Sequence, residues 1–133
     1  KGTYGPYAKN LRHVLTHIEG HFITGYGDAS DQPDKEIKLK PEAIEPAEEF
    51  LVDHPMVRER FDRVVSLIDG FETPFGMELL ATVHWVATQE GAATPKDAIE
   101  KTYAWDGRKR MFKESHIRVA WDVLGRKGWL PTT

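Results

Sequence analysis

The segment that decides the fold is Thr73–Gly91, TPFGMELLATVHWVATQEG. Thr73 is a suitable helix N-cap, Pro74 is favoured at the first helical position, and Gly91 is a typical residue for ending a helix. The residues between them leave no consistently polar face, and a helix that is apolar nearly all round is expected to be buried nearly all round. We therefore predict a buried central helix over 73–91, with His84 at its centre and the other segments packed against it.

Further helices are predicted on both sides of this segment. Leu11, Val14, Leu15 and Ile18 recur with helical period after the turn at Gly5-Pro6, and Gly20 should end that helix. The same criteria predict helices from Pro46, from Pro55 to Gly70, from Thr94 to about Tyr103, and from about Glu114 to Gly125. The predicted fold class is mainly α, with about five to six helices around the central one. Minor β or extended segments are predicted near 21–25, 36–40 and 127–131.

The bulk properties limit the class of protein. A chain of 133 residues has room for one core, so we predict a single domain over 1–133. It contains no cysteine, which excludes disulfides and thiolate chemistry and favours a cytoplasmic location. No apolar run is long enough for a transmembrane helix. Because the chain opens at Lys1 rather than Met, we expect a fragment of a longer protein.

Charge is distributed unevenly along the chain. Residues 28–62 hold eleven acids against five bases, a net of −6, whereas residues 101–127 hold eight bases against three acids, a net of +5. The first region is suited to a basic partner and the second to an acidic one. Two solvated faces would give the same pattern, so the charges alone do not decide between these interpretations.

The sequence gives little support to an enzyme. None of the three serines lies in a GxSxG motif, and the carboxylates lie in charged runs rather than beside apolar residues that would raise a pKa. His84 is expected to be a core residue, so we predict no catalytic residue and no cofactor. His13, His17 and His21 are spaced by four, but Gly20 should break the helix before His21 and no HExxH motif is present. We predict no metal site and assign these histidines to the surface or to partner contacts.

Nucleic-acid binding is the alternative function. The last helices, followed by a Gly128-Trp129 tail, are compatible with a helix-turn-helix and a terminal wing. The connector between the helices, about ten residues, is longer than the usual three or four. In this interpretation the recognition helix would present Ser115, His116, Arg118 and Asp122, and the phosphates would be bound by Arg108, Lys109, Arg110 and Lys113.

Several stretches together resemble the C-terminal domain of the DarG family of antitoxins. The longest is Phe71–Trp85, FETPFGMELLATVHW, which lies in the predicted central helix. The others occur in the same order over most of the chain: Tyr4–Tyr7, Asn10–Leu11, His13–Leu15, Glu19–His21, Gly25–Asp28, and a tail from Ser115–Ile117 through Trp121 to Gly128–Leu130.

The resemblance implies a toxin-binding module. In that family an N-terminal macrodomain, which is absent from this chain, removes ADP-ribose from DNA, and the C-terminal domain covers the surface where the toxin DarT takes its single-stranded DNA. We therefore expect a one-to-one complex with a DarT-like toxin. A DNA-binding groove is basic and stacks bases, so an inhibitor should present carboxylates and aromatic rings. The contact residues we predict are Tyr4, Tyr7, Asn10, Arg12, His13, His17, Tyr26, Asp28 and Asp31, with His84 and Trp85 as scaffold.

Overall fold

The computed structural model describes residues 1–27 and 35–132. Within these ranges a short antiparallel pair, β1 (Ile23–Thr24) and β2 (Lys38–Leu39), accompanies the helices, and 3₁₀ turns at Pro41–Ala43 and Gly107–Met111 precede the second and the last helix. The six helices are α1 (Lys9–Ile18), α2 (Ile44–Asp53), α3 (Pro55–Ile68), α4 (Pro74–Thr88), α5 (Pro95–Trp105) and α6 (Glu114–Arg126).

The predicted mainly helical class is confirmed. The segments expected near 21–25 and 36–40 pair with each other, through Ile23 with Leu39 and Thr24 with Lys38. Residues 127–131 form no strand. Across 1–27 and 35–132, no helix is both long enough and apolar enough to cross a membrane.

The chain divides into two compact units. The larger unit comprises Lys1–Tyr7 and Asp62–Thr133, and the smaller unit comprises Ala8–Phe61. Each is described by itself below.

The larger unit is built on α4, whose start matches the sequence signal. The Thr73 hydroxyl accepts a hydrogen bond from the Gly76 N–H at 2.9 Å, so the helix N-terminus is capped as expected. A Cβ on Gly76 would lie 2.6 Å from the Phe71 carbonyl oxygen, which explains a glycine inside this helix. Helix α5 starts with a complete capping box between Thr94 and Asp97.

The core of the larger unit lies where α4, α5 and α6 meet. Val83 and Val86 of α4 are fully buried, as are Ile117 and Leu124 of α6 and Phe112 just before it. The side chains that complete this cluster are Leu67, Leu79, Leu80, Ala92, Ala98, Ile99 and Ala120. Burial of this apolar surface is the main source of stability in the unit.

Helix α4 is less completely buried than its composition predicts. Phe75 and Met77 in its first turn are exposed, and His84 and Trp85 are only half-buried. Within this unit α5 and α6 cover one side of α4 and leave part of its circumference open. The expectation of a helix buried nearly all round is therefore wrong for its first turn and for His84.

The smaller unit has little core of its own. Among its described residues only Ile23 and Ala43 are buried apolar side chains. Leu11 and Val14, which belong to the apolar stripe predicted on α1, are each 53% exposed, and no residue of α1 is buried. The periodicity predicted the helix correctly but not its burial, because no element of this unit covers that stripe.

Candidate partner-binding surfaces

Two of the predicted contact residues lie on or just after a tight turn in the larger unit. Gly2 and Gly5 exchange backbone hydrogen bonds of 2.7 and 3.2 Å, and they close a loop that carries Tyr4. Gly5 has a φ of +137°, a conformation that favours glycine. Tyr4 is 70% exposed and Tyr7, just after the turn, is 61% exposed. Two aromatic rings are therefore presented to solvent by a backbone that is fixed locally.

The turn is attached to the end of α5. The Trp105 indole N–H donates to the Gly2 carbonyl oxygen at 2.8 Å. The Arg108 guanidinium lies over the Tyr4 ring, with its Cζ 4.5 Å from the ring centroid. A cation–π contact of this kind holds one face of the ring and leaves the rest free.

Arg108 is held in place by Glu78, which also pairs with the buried Lys109. Lys109 is fully buried, and its Nζ donates to Glu78 Oε1 at 2.7 Å and to Thr82 Oγ1 at 3.1 Å. Arg108 also pairs with the Glu78 carboxylate. Burial acts to raise the pKa of Glu78, but the hydrogen bonds from Arg108 and Lys109 outweigh it, so the pKa is lowered. The carboxylate therefore stays ionised and joins α4 to the Gly107–Met111 turn, whose Arg108 in turn contacts Tyr4.

The prediction that Lys109 would bind phosphates, made for the alternative nucleic-acid function, is wrong. Lys109 was expected to contact phosphates, but a fully buried ammonium paired with Glu78 is not available to a ligand on the surface. Arg110 is engaged as well, with its Cζ 4.9 Å from the Tyr103 ring. Ser115, Arg118 and Asp122 are exposed on α6 as expected, whereas His116 is half-buried and accepts the Lys113 N–H.

Sequence reasoning missed the support that Glu78 and Trp105 give to the turn. The only available signal was a glutamate in the most apolar helix of the chain, because such a residue needs a partner when it is covered. Its partners lie thirty and thirty-one residues away, and no local pattern indicates them.

The four contact residues predicted on α1 belong to the smaller unit. Asn10, Arg12, His13 and His17 are all exposed. His21 lies beyond the helix, after Gly20, which has a φ of +80°. In the described parts of the chain, no group of three or more histidine, cysteine, aspartate or glutamate side chains is arranged to hold a metal ion.

The loop that carries Tyr26 is ordered by Glu19. The carboxylate accepts the N–H groups of Gly25 and Tyr26 at 3.2 and 3.3 Å. Gly25 has a φ of +95°, and a Cβ there would lie 1.9 Å from the Glu36 carbonyl oxygen, so only glycine fits. The Tyr26 ring is half-buried, with Lys35 Nζ 4.8 Å from its centroid. The expectation of an exposed Tyr26 is wrong to that extent, and Asp28 and Asp31 lie outside the described residues.

The smaller unit also presents a row of acidic side chains, on α2 and the turn before it. Residues 41–53 contain five acids and no base, and all five acids are exposed: Glu42, Glu45, Glu48, Glu49 and Asp53. Glu45, Glu49 and Asp53 are spaced by four, so they follow one side of the helix. On the same helix the ring of Phe50 stacks on His54, with centroids 3.9 Å apart.

Comparison with known proteins identifies relatives over nearly the whole chain. It is 44% identical over 127 residues, 96% of its length, to a DNA ADP-ribosyl glycohydrolase of Thermus aquaticus. It is 38% identical over 129 residues, 92% of its length, to proteins of the same name from Mycobacterium bovis and Mycobacterium tuberculosis. The chain spans only 35% to 37% of the length of these relatives. No protein-family model matches it.

Proposed function

The chain belongs to the DNA ADP-ribosyl glycohydrolase (DarG) family, and we propose that it is an antitoxin module which binds and neutralises a DarT-like DNA ADP-ribosyltransferase. Its relatives are named for hydrolysis of ADP-ribosyl groups on DNA, but the chain matches only about a third of each of them. We assign the hydrolytic activity to the remainder of such proteins and the binding of the toxin to this segment.

The proposed mechanism is occupation of the toxin's DNA-binding surface. A surface that binds single-stranded DNA combines basic groups along the backbone with platforms for stacking bases. The five exposed acids of residues 41–53, with no base among them, are the observation that carries the proposal, because carboxylates can replace phosphates in such a groove. In the larger unit, taken by itself, Tyr4 and Tyr7 expose rings of the kind on which bases stack.

Co-elution with a DarT-like toxin tests this proposal. The two proteins, mixed at moderate ionic strength, should elute together as a one-to-one complex. The double variant Glu45→Lys, Glu49→Lys should weaken the complex by at least about tenfold, because it turns two attractive charges into repulsive ones. The control is Glu100→Lys with Glu114→Lys, which changes the net charge equally at exposed residues of α5 and α6. Equal loss in both variants would mean that net charge, and not this surface, is responsible.

Direct DNA binding can be tested on the same purified protein. Retention of duplex DNA that is lost in the variant Arg110→Glu, Lys113→Glu, without co-elution of toxin, would support the alternative function instead. The affinity for DNA would then fall with salt concentration, with a slope set by the number of phosphates that the protein neutralises.

A further inference from the structure

Tyr4 is the most exposed aromatic side chain in the described parts of the chain, yet the turn that carries it is restrained. The backbone hydrogen bonds between Gly2 and Gly5 close this turn, and the Trp105 indole N–H ties Gly2 to the end of α5. A side chain that is restrained before it binds loses less conformational freedom on binding. Tyr4 is therefore preorganised for contact with a partner.

Arg108 restrains the tyrosine ring itself. Its Cζ lies 4.5 Å from the Tyr4 ring centroid, within the range of a cation–π contact. Both terminal nitrogens of the guanidinium donate to the Glu78 carboxylate, with Nη2 at 3.1 Å from Oε2. Two such bonds fix the orientation of the guanidinium plane as well as its position. Because Arg108 covers one face of an exposed ring, the opposite face of Tyr4 is open to a partner.

The Glu78 carboxylate is fixed in turn by a buried side chain. Lys109 is fully buried, and its Nζ donates to Glu78 Oε1 at 2.7 Å and to Thr82 Oγ1 at 3.1 Å. The carboxylate cannot move away without leaving a buried ammonium without its ionic partner, which is strongly unfavourable. A continuous series of contacts therefore runs from the buried Lys109 through Glu78 and Arg108 to the exposed ring of Tyr4.

The charges beside the ring are balanced. Asp106 Oδ1 accepts the Arg108 backbone N–H at 2.8 Å, so the carboxylates of Asp106 and Glu78 offset the charges of Arg108 and Lys109. A surface that binds single-stranded DNA is basic, and an arginine without such carboxylates would be repelled by it. The balance of charge allows the Tyr4 ring to approach a basic surface.

We propose that Tyr4 is an anchor residue in the complex with the toxin, and that its open face stacks on a side chain of the toxin that otherwise stacks a DNA base. Arg108 and Glu78 are positioning residues, which act through the tyrosine ring and do not contact the toxin themselves. Tyrosine is among the residue types that contribute most to binding energy at protein interfaces. This inference rests on the proposed antitoxin function.

Dissociation constants of the 133-residue chain and its variants with a DarT-like toxin test the anchor role. Tyr4→Ala should weaken the complex by at least about tenfold, whereas Tyr4→Phe keeps the ring and should lose less than about threefold. Arg108→Met releases the ring and should weaken the complex by about fivefold. Arg110→Met is the matched control, because this arginine lies in the same turn with its Cζ 4.9 Å from the Tyr103 ring, and it should change the affinity by less than about twofold.

A double-mutant cycle shows whether Arg108 acts through the ring. In the Tyr4→Ala background, Arg108→Met should cause no further loss of affinity, since the ring that it positions is gone. A further loss as large as in the parent would mean that Arg108 contacts the toxin directly, and would overturn its positioning role. A Tyr4→Ala variant that binds as the parent does would overturn the anchor role and leave the proposed function standing. A parent chain that binds no toxin would overturn both.

The free chain provides a measurement that does not need the toxin. NMR relaxation of the Tyr4 ring should show greater mobility in Arg108→Met than in the parent and in Arg110→Met, while the circular dichroism spectra of the three proteins remain the same. A loss of fold would change the spectra, and a loss of positioning alone would not. A Tyr4 ring that is equally mobile in the parent and in Arg108→Met would overturn the positioning role.

Discussion

Replacing Glu78 by leucine is expected to cost more stability than replacing its partner Lys109 by methionine. Lys109 is fully buried, and within residues 1–27 and 35–132 Glu78 is the one carboxylate that its Nζ contacts, at 2.7 Å. In Glu78→Leu the ammonium keeps only the Thr82 hydroxyl at 3.1 Å and the nearby Trp105 and Phe112 rings. An uncompensated buried charge costs about 3 to 5 kcal/mol. Because the hydroxyl and the rings remain, we expect the lower end, about 3 kcal/mol.

The reverse change leaves a charge that still has a partner. In Lys109→Met the Glu78 carboxylate keeps its ion pair with Arg108, and methionine fills most of the space of the lysine stem. The expected loss is about 1 kcal/mol. For a chain of this size about 3 kcal/mol corresponds to a fall in Tm of roughly 10 °C.

Urea denaturation and thermal unfolding of the two single variants and the double variant measure these costs. The double variant should be more stable than Glu78→Leu alone, since it removes the unpaired ammonium. The pKa of Glu78 is lowered in the folded state, so its contribution is present above its pKa in the unfolded chain and is lost as the pH falls through the lower folded value. A Lys109→Met variant that is destabilised as much as Glu78→Leu, or strictly additive effects in the double variant, would refute this reasoning.

Three further predictions concern single residues. Burial lowers the pKa of His84 below the ordinary value of 6.5, so the unfolded chain takes up a proton at this residue more readily than the folded chain and stability is lost as the pH falls below 6.5. The unfolding free energy of the wild type relative to His84→Leu should therefore decline over that range in urea titrations. A difference that stays constant with pH would contradict this prediction. Gly25→Ala forces a Cβ against the Glu36 carbonyl, so the amides of residues 25 and 26 should lose protection in hydrogen exchange. Gly27→Ala is the control: nothing lies within 4 Å of its Cβ, so the protection of these two amides should fall less. Thr94→Ala removes the cap of α5 and should cost about 1 kcal/mol of unfolding free energy, against no measurable loss for Thr132→Ala in the tail.

The parts of the fold that were predictable are those set by local chemistry. The starts of α4 and α5 follow from Thr73-Pro74 and Thr94-Pro95, because a capping side chain and a first-position proline act on their own backbone. The pairing of residues 23–24 with 38–39 fits the short extended segments expected there. The end of α6 was predicted less accurately, because the helix continues past Gly125 to Arg126. A glycine near the end of a helix does not always stop it.

Burial was harder to predict because it depends on distant elements. The apolar stripe of α1 has helical period, yet Leu11 and Val14 remain exposed because periodicity identifies a face and not what covers it. Tyr26 was expected on the surface, but Lys35 reaches its ring from nine residues further along the chain. Lys109 lies in a run of basic residues that is typical of a solvated surface, and only the fold brings Glu78 to it.

Only some of the properties of the candidate contact residues, taken unit by unit, could be predicted from the sequence. Tyr4 and Tyr7 are exposed as expected, and so are the polar residues of α1. The attachment of the turn through Trp105 and Arg108 could not be anticipated, because these residues lie about a hundred positions from it in the chain.

Competition for single-stranded DNA tests the antitoxin role most directly. A fluorescent single-stranded oligonucleotide is bound to a DarT-like toxin, and the 133-residue chain is added while anisotropy is recorded at fixed ionic strength. The account predicts release of the oligonucleotide, complete at one equivalent of the chain if the complex is tight. A stable ternary complex, or an anisotropy that does not change at saturating chain, would contradict it.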